Sequence, residues 1–220
     1  MLTREVLFEP SKPIWEQILN QPFVIELGAG TLPKEKFIYF IQQDYAYLID
    51  FARALCLAGA KTFDVETLKM FVQHAVGGIE AERAFHKSAA EKLGVPIDEL
   101  EQADRAPVTL AYTRHLLNVG REGTLGEIVS ALLPCYWIYG EVGRRLAENP
   151  PQDELYRGWI EAYASEDYWR LVEEQLSLVD RLGPAVSKEE LDRMIEHFRI
   201  SSKYEFYFWD QAYNQSNWIV

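Results

Sequence analysis

Thr124-Leu125-Gly126-Glu127-Ile128-Val129-Ser130-Ala131-Leu132-Leu133-Pro134-Cys135-Tyr136-Trp137-Ile138-Tyr139-Gly140 is the stretch whose reading decides the fold. It opens on Thr-x-x-Glu, the pattern in which a hydroxyl and a carboxylate reciprocally satisfy orphan amides at a helix start. An apolar, aromatic run follows, without the polar alternation of a half-buried strand. Pro134 inside that run removes one backbone hydrogen bond, bends the helix, and leaves the Ser130 carbonyl without its partner one turn before a thiol. Ordinary core helices avoid such a break, and functional sites tolerate it. Taken alone, Cys135 reads as a buried structural cysteine beside a kink. The groups elsewhere in the chain change that balance.

Outward from this helix, every readable segment is helical. Ser187-Lys188-Glu189-Glu190 repeats the capping-box pattern. Pro33 suits the first turn of a helix from about Lys34 to Ala60. A long segment from Asp64 to Leu93 stops at Gly94-Val95-Pro96, glycine then proline. Further helices are expected over Trp15 to Leu19, Pro107 to Val119, Leu125 to Ala147, Asp153 to Tyr163, Asp167 to Leu182 and Lys188 to Tyr213. Short connections join them at Gly120 to Thr124, Asn149-Pro150-Pro151 and Gly183-Pro184. No internal repeat or low-complexity tract interrupts the series. The expectation is an all-α bundle forming one domain over residues 1–220, with its site built from side chains facing inward on several helices.

Composition narrows the function. The chain has 220 residues, 48% of them hydrophobic, enough for a substantial core. No uncharged apolar run reaches about 18 residues, so no membrane span is expected. Met1-Leu2-Thr3-Arg4-Glu5 lacks a signal-peptide stretch. Two cysteines, Cys56 and Cys135, make no disulfide framework, which fits a reducing cytoplasm. Twenty-two basic against thirty-four acidic side chains give a net charge of -12, so phosphate backbones would be repelled and nucleic acid is not an expected partner. Aromatic residues make up 13% of the chain, more than a core of this size needs, and suit a pocket for a flat, unsaturated ligand.

Three helices each carry a reactive polar group on an otherwise aromatic face. Asp44, Tyr47 and Phe51 are spaced i, i+3 and i+7. Cys135 and Tyr139 are spaced i and i+4. Glu205 and Phe208 sit in Tyr204-Glu205-Phe206-Tyr207-Phe208-Trp209-Asp210, where five aromatic neighbours would desolvate the carboxylate and raise its pKa toward neutrality. The bland alternatives are a solvent-facing Glu205, an exposed Asp44, and core tyrosines at Tyr112 and Tyr163. A thiol, two carboxylates and several tyrosines around an aromatic slot suit covalent chemistry on a heteroaromatic ring. No histidine neighbours Cys135 in sequence, so a base brought in by folding stays open.

The chain resembles the TenA/thiaminase II family over nearly its whole length. The matching stretches are Leu27-Gly28-Ala29-Gly30-Thr31-Leu32-Pro33, Gln43-Asp44-Tyr45-Ala46-Tyr47-Leu48, Ala131 to Gly140, Trp159-Ile160-Glu161-Ala162-Tyr163-Ala164-Ser165 and Tyr204-Glu205-Phe206-Tyr207-Phe208-Trp209, in that order. The resemblance implies a heme-oxygenase-like helical bundle, assembled as a homotetramer. It implies hydrolysis at the exocyclic methylene of an aminopyrimidine: ammonia from 4-amino-5-aminomethyl-2-methylpyrimidine, or thiazole from thiamin, in thiamin salvage. The family nucleophile falls on Cys135, its acid on Glu205 and the carboxylate that holds the aminopyrimidine on Asp44. Tyr112 and Tyr163 match polar pocket positions, while Tyr47, Tyr139 and Phe208 match the walls. No metal or organic cofactor is implied. The departure is Ala164-Ser165-Glu166-Asp167, read as a variable loop on the leaving-group side.

Two rival readings compete with this one. Di-iron bundles carry Glu-x-x-His, but the residues three before His74, His86, His115 and His197 are Phe71, Arg83, Tyr112 and Met194. Glu82 with His86 reads as a surface i, i+4 pair. A non-catalytic pyrimidine carrier or regulator is the other rival, and it would have no use for a nucleophile at Cys135.

Overall fold

Thr124 caps its helix in both directions. In the computed structural model of the chain, its hydroxyl accepts from the Glu127 N–H at 3.2 Å, and the Glu127 carboxylate accepts from the Thr124 N–H at 3.3 Å. The structure describes residues 2–102 and 104–219; Met1, at the head of the stretch read for a signal peptide, lies outside them with Ala103 and Val220. Among the described residues there are eleven α-helices and no strand. They are α1 (Thr3–Phe8), α2 (Lys12–Leu19), α3 (Pro22–Ala29), α4 (Lys34–Gly59), α5 (Val65–Leu93), α6 (Ile97–Glu101), α7 (Pro107–Glu122), α8 (Leu125–Ala147), α9 (Glu154–Ala164), α10 (Glu166–Leu182) and α11 (Lys188–Asn214). Short 3-10 turns cover Glu9–Ser11 and Gly183–Ala185.

The long helices follow the sequence reading closely, with four informative differences. The Ser187 hydroxyl accepts from the Glu190 N–H, but the Glu190 carboxylate accepts from the Thr124 hydroxyl at 2.5 Å instead of closing its own box. That side chain ties the starts of α8 and α11 together. Helix α7 runs past Val119 to Glu122, because Gly120 lies against Leu57 of α4 as a helical residue and does not end the helix. The expected loop at Ala164-Ser165-Glu166-Asp167 is not a loop. Ser165 alone separates α9 from α10, and its hydroxyl caps α10 by accepting from the Tyr168 N–H at 3.1 Å. Helices α1, α3 and α6 are short and had no periodicity long enough to be read.

Helix α8 is the centre of the bundle, packed against α11, α9 and α10, while α4 packs against α5 and α7. The helix passes through Pro134 unbroken. An aromatic column joins α4, α8, α9 and α11: Phe40 stacks on Trp209 at 5.2 Å, Tyr139 lies 5.0 Å from Trp209, and Trp159 lies 4.5 Å from Tyr163. Buried aromatic pairs of this kind fix helix positions more sharply than aliphatic contacts do. Two glycines let α9 and α10 reach the cysteine helix. A Cβ on Gly143 would lie 2.7 Å from the Tyr163 carbonyl carbon, and one on Gly140 would lie 2.9 Å from the Trp169 ring. No helix among the described residues is long and apolar enough to cross a membrane.

Gly143→Ala should therefore destabilise the protein by about 1–3 kcal/mol through overpacking. Gly158→Ala, at an exposed position inside α9 with nothing within 4 Å of the new methyl, should stabilise it by about 0.5–1 kcal/mol. Urea unfolding midpoints check both signs, and an undiminished midpoint for Gly143→Ala would contradict the close approach.

Candidate active site

Five helices deliver the eight residues singled out from the sequence. Helix α4 carries Asp44 and Tyr47, α7 Tyr112, α8 Cys135 and Tyr139, α9 Tyr163, and α11 Glu205 and Phe208. Asp44, Cys135, Tyr139 and Tyr163 line one cavity of about 460 Å3, floored by Phe51 and Trp159. Tyr47, Tyr112, Glu205 and Phe208 do not line it. They form a buried layer next to it, with the Tyr47 ring 5.0 Å from Tyr112 and 5.7 Å from Phe208. Within that layer the Tyr112 hydroxyl donates to the Glu205 carboxylate at 2.7 Å. The Tyr47 hydroxyl faces Cys135 and Tyr112 without meeting full hydrogen-bond geometry with either. Cys135 joins the two layers, since its accessible surface opens into the cavity.

A larger, more open cleft of about 910 Å3 adjoins this cavity along α4 and α5, sharing Leu48, Ala52 and Glu82, and runs out around Asp50, Arg53, Cys56 and Arg114. It contains none of the eight residues. The cavity with the thiol is where the chemistry-bearing groups converge, and size does not outweigh that.

Burial dominates the electrostatics. It pushes the Cys135 thiol well up, the Glu205 carboxylate adds to the rise, the Tyr47 hydroxyl opposes it, and Asp44 adds again. Glu205 is 2% exposed, and burial lifts its carboxyl to about 8 against the pull of the Tyr112 hydrogen bond, with Asp44 adding to the rise. Asp44 is raised by burial and by Glu82, and held back by His86. The expectation of a desolvated Glu205 is met, and the solvent-facing alternatives for Glu205 and Asp44 are not.

The structure adds residues that the sequence reading passed over, and corrects one pair. Glu82 and His86 are not a surface pair. His86 is wholly buried, its Nε2 lies 2.5 Å from the Glu82 carboxylate, and Glu82 lines the cavity with Asp44. This face of α5 turns onto α4, where the His86 ring lies 5.2 Å from Tyr45, and burial raises Glu82 to about 8. Earlier on α5, His74 lines the same cavity beside Tyr136 of α8. His74 Nδ1 is 3.1 Å from the Tyr136 hydroxyl, and its Nε2 is 2.8 Å from the Glu174 carboxylate. Tyr136 could have been found from its place beside Cys135; nothing local marks His74, whose partners lie on α8 and α10. Among the described residues no group of three or more His, Cys, Asp or Glu is placed to hold a metal ion. A thiol beside a carboxyl group near neutrality and several phenols can add to an electron-poor ring while a proton reaches a ring nitrogen.

Comparison with known proteins gives this geometry a context. The chain is 37% identical over 214 residues to an aminopyrimidine aminohydrolase of Halalkalibacterium halodurans, covering 96% of each chain. A TenA homologue from P. horikoshii superposes with a TM-score of 0.86 at 27% identity, covering 97% of this chain and 99% of that one. A Shewanella denitrificans domain of unknown function with a heme oxygenase-like fold, 16% identical and with a TM-score of 0.75, covers 95% of this chain and 91% of its own, and shows the same fold. Residues 10–215 match the TENA/THI-4/PQQC family model, and the chain belongs to that family.

Proposed function

We propose that this protein is an aminopyrimidine aminohydrolase of thiamin salvage, working in the cytoplasm as one helical domain over residues 1–220. In this reading it converts 4-amino-5-aminomethyl-2-methylpyrimidine and water to the hydroxymethylpyrimidine and ammonia, and thiamin with a thiazole leaving group is the second substrate to test. The observation that carries it is the Tyr112–Glu205 hydrogen bond of 2.7 Å beside the Cys135 thiol, with Asp44 on the wall of the same cavity. The relatives named for aminopyrimidine hydrolysis match almost end to end, which supports the substrate class. The homotetramer belongs to the same reading, and the apolar stripe Leu68, Val72, Val76 and Ile79 exposed along α5 offers it a surface.

The groups are assigned to steps as follows. Asp44 accepts from the ring amino group, Tyr139 and Tyr163 pack the flat ring, and Phe208 supports that wall from the buried layer behind it, against Tyr47. Tyr47 faces the thiol and Tyr112 holds Glu205. The Cys135 thiol gives its proton to solvent water reaching the cavity and regains one from it after the thiolate is expelled; the thiolate adds to ring C6 while Glu205, protonated, donates to N1. The electron-rich adduct expels the amine from the exocyclic carbon, leaving a methylene. Water adds to that carbon, the ring electrons expel the thiolate, and N1 returns its proton to Glu205. A carrier needs none of these steps, and turnover separates the two readings.

Cys135→Ser should abolish ammonia release while binding the hydroxymethylpyrimidine with wild-type affinity; wild-type turnover by this variant would rule out covalent catalysis. For Asp44→Asn, calorimetry should find weaker pyrimidine binding by about 10-fold, the loss of one charge-assisted hydrogen bond, and unaltered affinity contradicts its role. Glu205→Gln should lower kcat by about 10²-fold or more with little change in product binding. As the acid, Glu205 must be protonated, so wild-type kcat/KM should fall as pH rises through about 8, and that limb should vanish in the variant. The same carboxyl has a stability signature. Its folded pKa of about 8 lies above the ordinary 4.5, so the folded state holds the extra proton and wild-type stability falls as pH rises between those values. Glu205→Gln should gain thermal midpoint over wild type at pH 8 and lose that gain toward pH 4.5.

A further inference from the structure

We propose that Tyr136, backed by His74 and Glu174, binds and deprotonates the water that completes the hydrolysis. The proposal rests on the aminohydrolase reading above and assigns the one reactant that reading leaves without a partner. Tyr136 follows Cys135 on α8, and both line the same cavity, with His74 beside them. His74 is the one histidine on that wall among the described residues.

The hydrogen-bond directions follow from what each group can do. The Glu174 carboxylate only accepts, so His74 Nε2, at 2.8 Å, carries the ring proton. Nδ1 is then a lone pair, approached by the Tyr136 hydroxyl at 3.1 Å and by the Gln175 amide at 3.3 Å. The Tyr136 hydroxyl thus donates to His74 and leaves its oxygen lone pairs for a donor in the cavity. Its ring is fixed by Phe51 at 5.4 Å, and its backbone carbonyl accepts from the Tyr168 hydroxyl at 2.9 Å. His74 is 6% exposed, and burial lowers its pKa, so the free base is its resting form. The Glu174 side chain, 44% exposed, links the far end of the line to solvent.

In the step itself, the water oxygen forms its bond to the exocyclic methylene carbon. The water proton passes to the Tyr136 oxygen, and the Tyr136 proton passes to His74 Nδ1. The imidazolium is stabilised by Glu174 and returns its proton to solvent on that side. The electron pair released into the ring expels the Cys135 thiolate. Tyr136 meets the reacting water and is catalytic in that sense; His74 and Glu174 act through it as positioning residues.

Rapid quench of Tyr136→Phe and His74→Gln against the aminomethylpyrimidine tests this, with ammonia and hydroxymethylpyrimidine measured separately. Gln at position 74 keeps an acceptor for Tyr136 but cannot take its proton. Both variants should release one equivalent of ammonia per site in a burst, then form hydroxymethylpyrimidine about 10²-fold more slowly than wild type at unchanged product affinity. Intact mass should show the pyrimidine adduct on Cys135. Products appearing in step, whether at the wild-type rate or slowed equally, would overturn the proposal, because a purely structural role gives no burst. If Tyr136→Phe fails to fold, His74→Gln carries the test, with product binding as its check on folding. A wild-type protein that releases no ammonia overturns the aminohydrolase reading, and this proposal with it.

Discussion

Three acids share an interior in which, among the described residues, no lysine or arginine lowers the pKa of any of them. Burial raises Asp44, Cys135 and Glu205 alike; Glu82 adds to the rise of Asp44, Glu205 and Asp44 to that of Cys135, and Asp44 to that of Glu205. Only hydroxyls and one histidine act in the other direction: Tyr47 on the thiol, Tyr112 on Glu205 and His86 on Asp44. An uncompensated buried charge is far costlier than a buried neutral acid, so the resting site keeps its protons. The rest of the molecule is arranged around holding such groups together out of water.

Aromatic packing is what offsets that cost. The column through Phe40, Trp209, Tyr139 and Trp159 runs directly beside the polar layer, and its members are almost wholly buried. Helices α9 and α10 come close enough to complete the cavity because Gly140 and Gly143 leave room for Trp169 and for the Tyr163 backbone. The same closeness brings Tyr163 to within 5.1 Å of Tyr139 and Tyr168 within hydrogen-bond reach of α8. Packing and site are therefore one structure, and a methyl group added at Gly143 disturbs both.

How much of this was legible depends on whether the signal was local. The capping box at Thr124 and the aromatic surroundings of Glu205 are local, and both read correctly. The spacing of Asp44 with Tyr47 and of Cys135 with Tyr139 put each pair on one helix face, and the fold then turned those faces inward. The failures came where burial is decided by a distant helix. Glu82 and His86 look like a solvated pair until α5 lies on α4. His74 shows no local sign of function because its partners are Tyr136 and Glu174, on helices far along the chain. Ser165 is the opposite case: a one-residue break between helices has the composition of a loop.

The neutrality of the resting site also orders the proposed chemistry. Forming the Cys135 thiolate places charge beside Glu205 and Asp44, and both add to the rise that burial imposes on the thiol. An aminomethyl substrate arrives as a cation, and its charge acts on all three acids at once. Ionisation of Asp44 and of the thiol becomes easier in its presence, whereas Glu205, held by Tyr112, can give its proton to N1. In the proposed chemistry the thiol is thus activated by the molecule it attacks. Once ammonia has left, its positive charge stays on the ring of the adduct and makes the methylene carbon open to attack. Water must then add before the sulfur can leave, and a neutral base such as His74, reached through Tyr136, can take its proton without bringing another negative charge into the site.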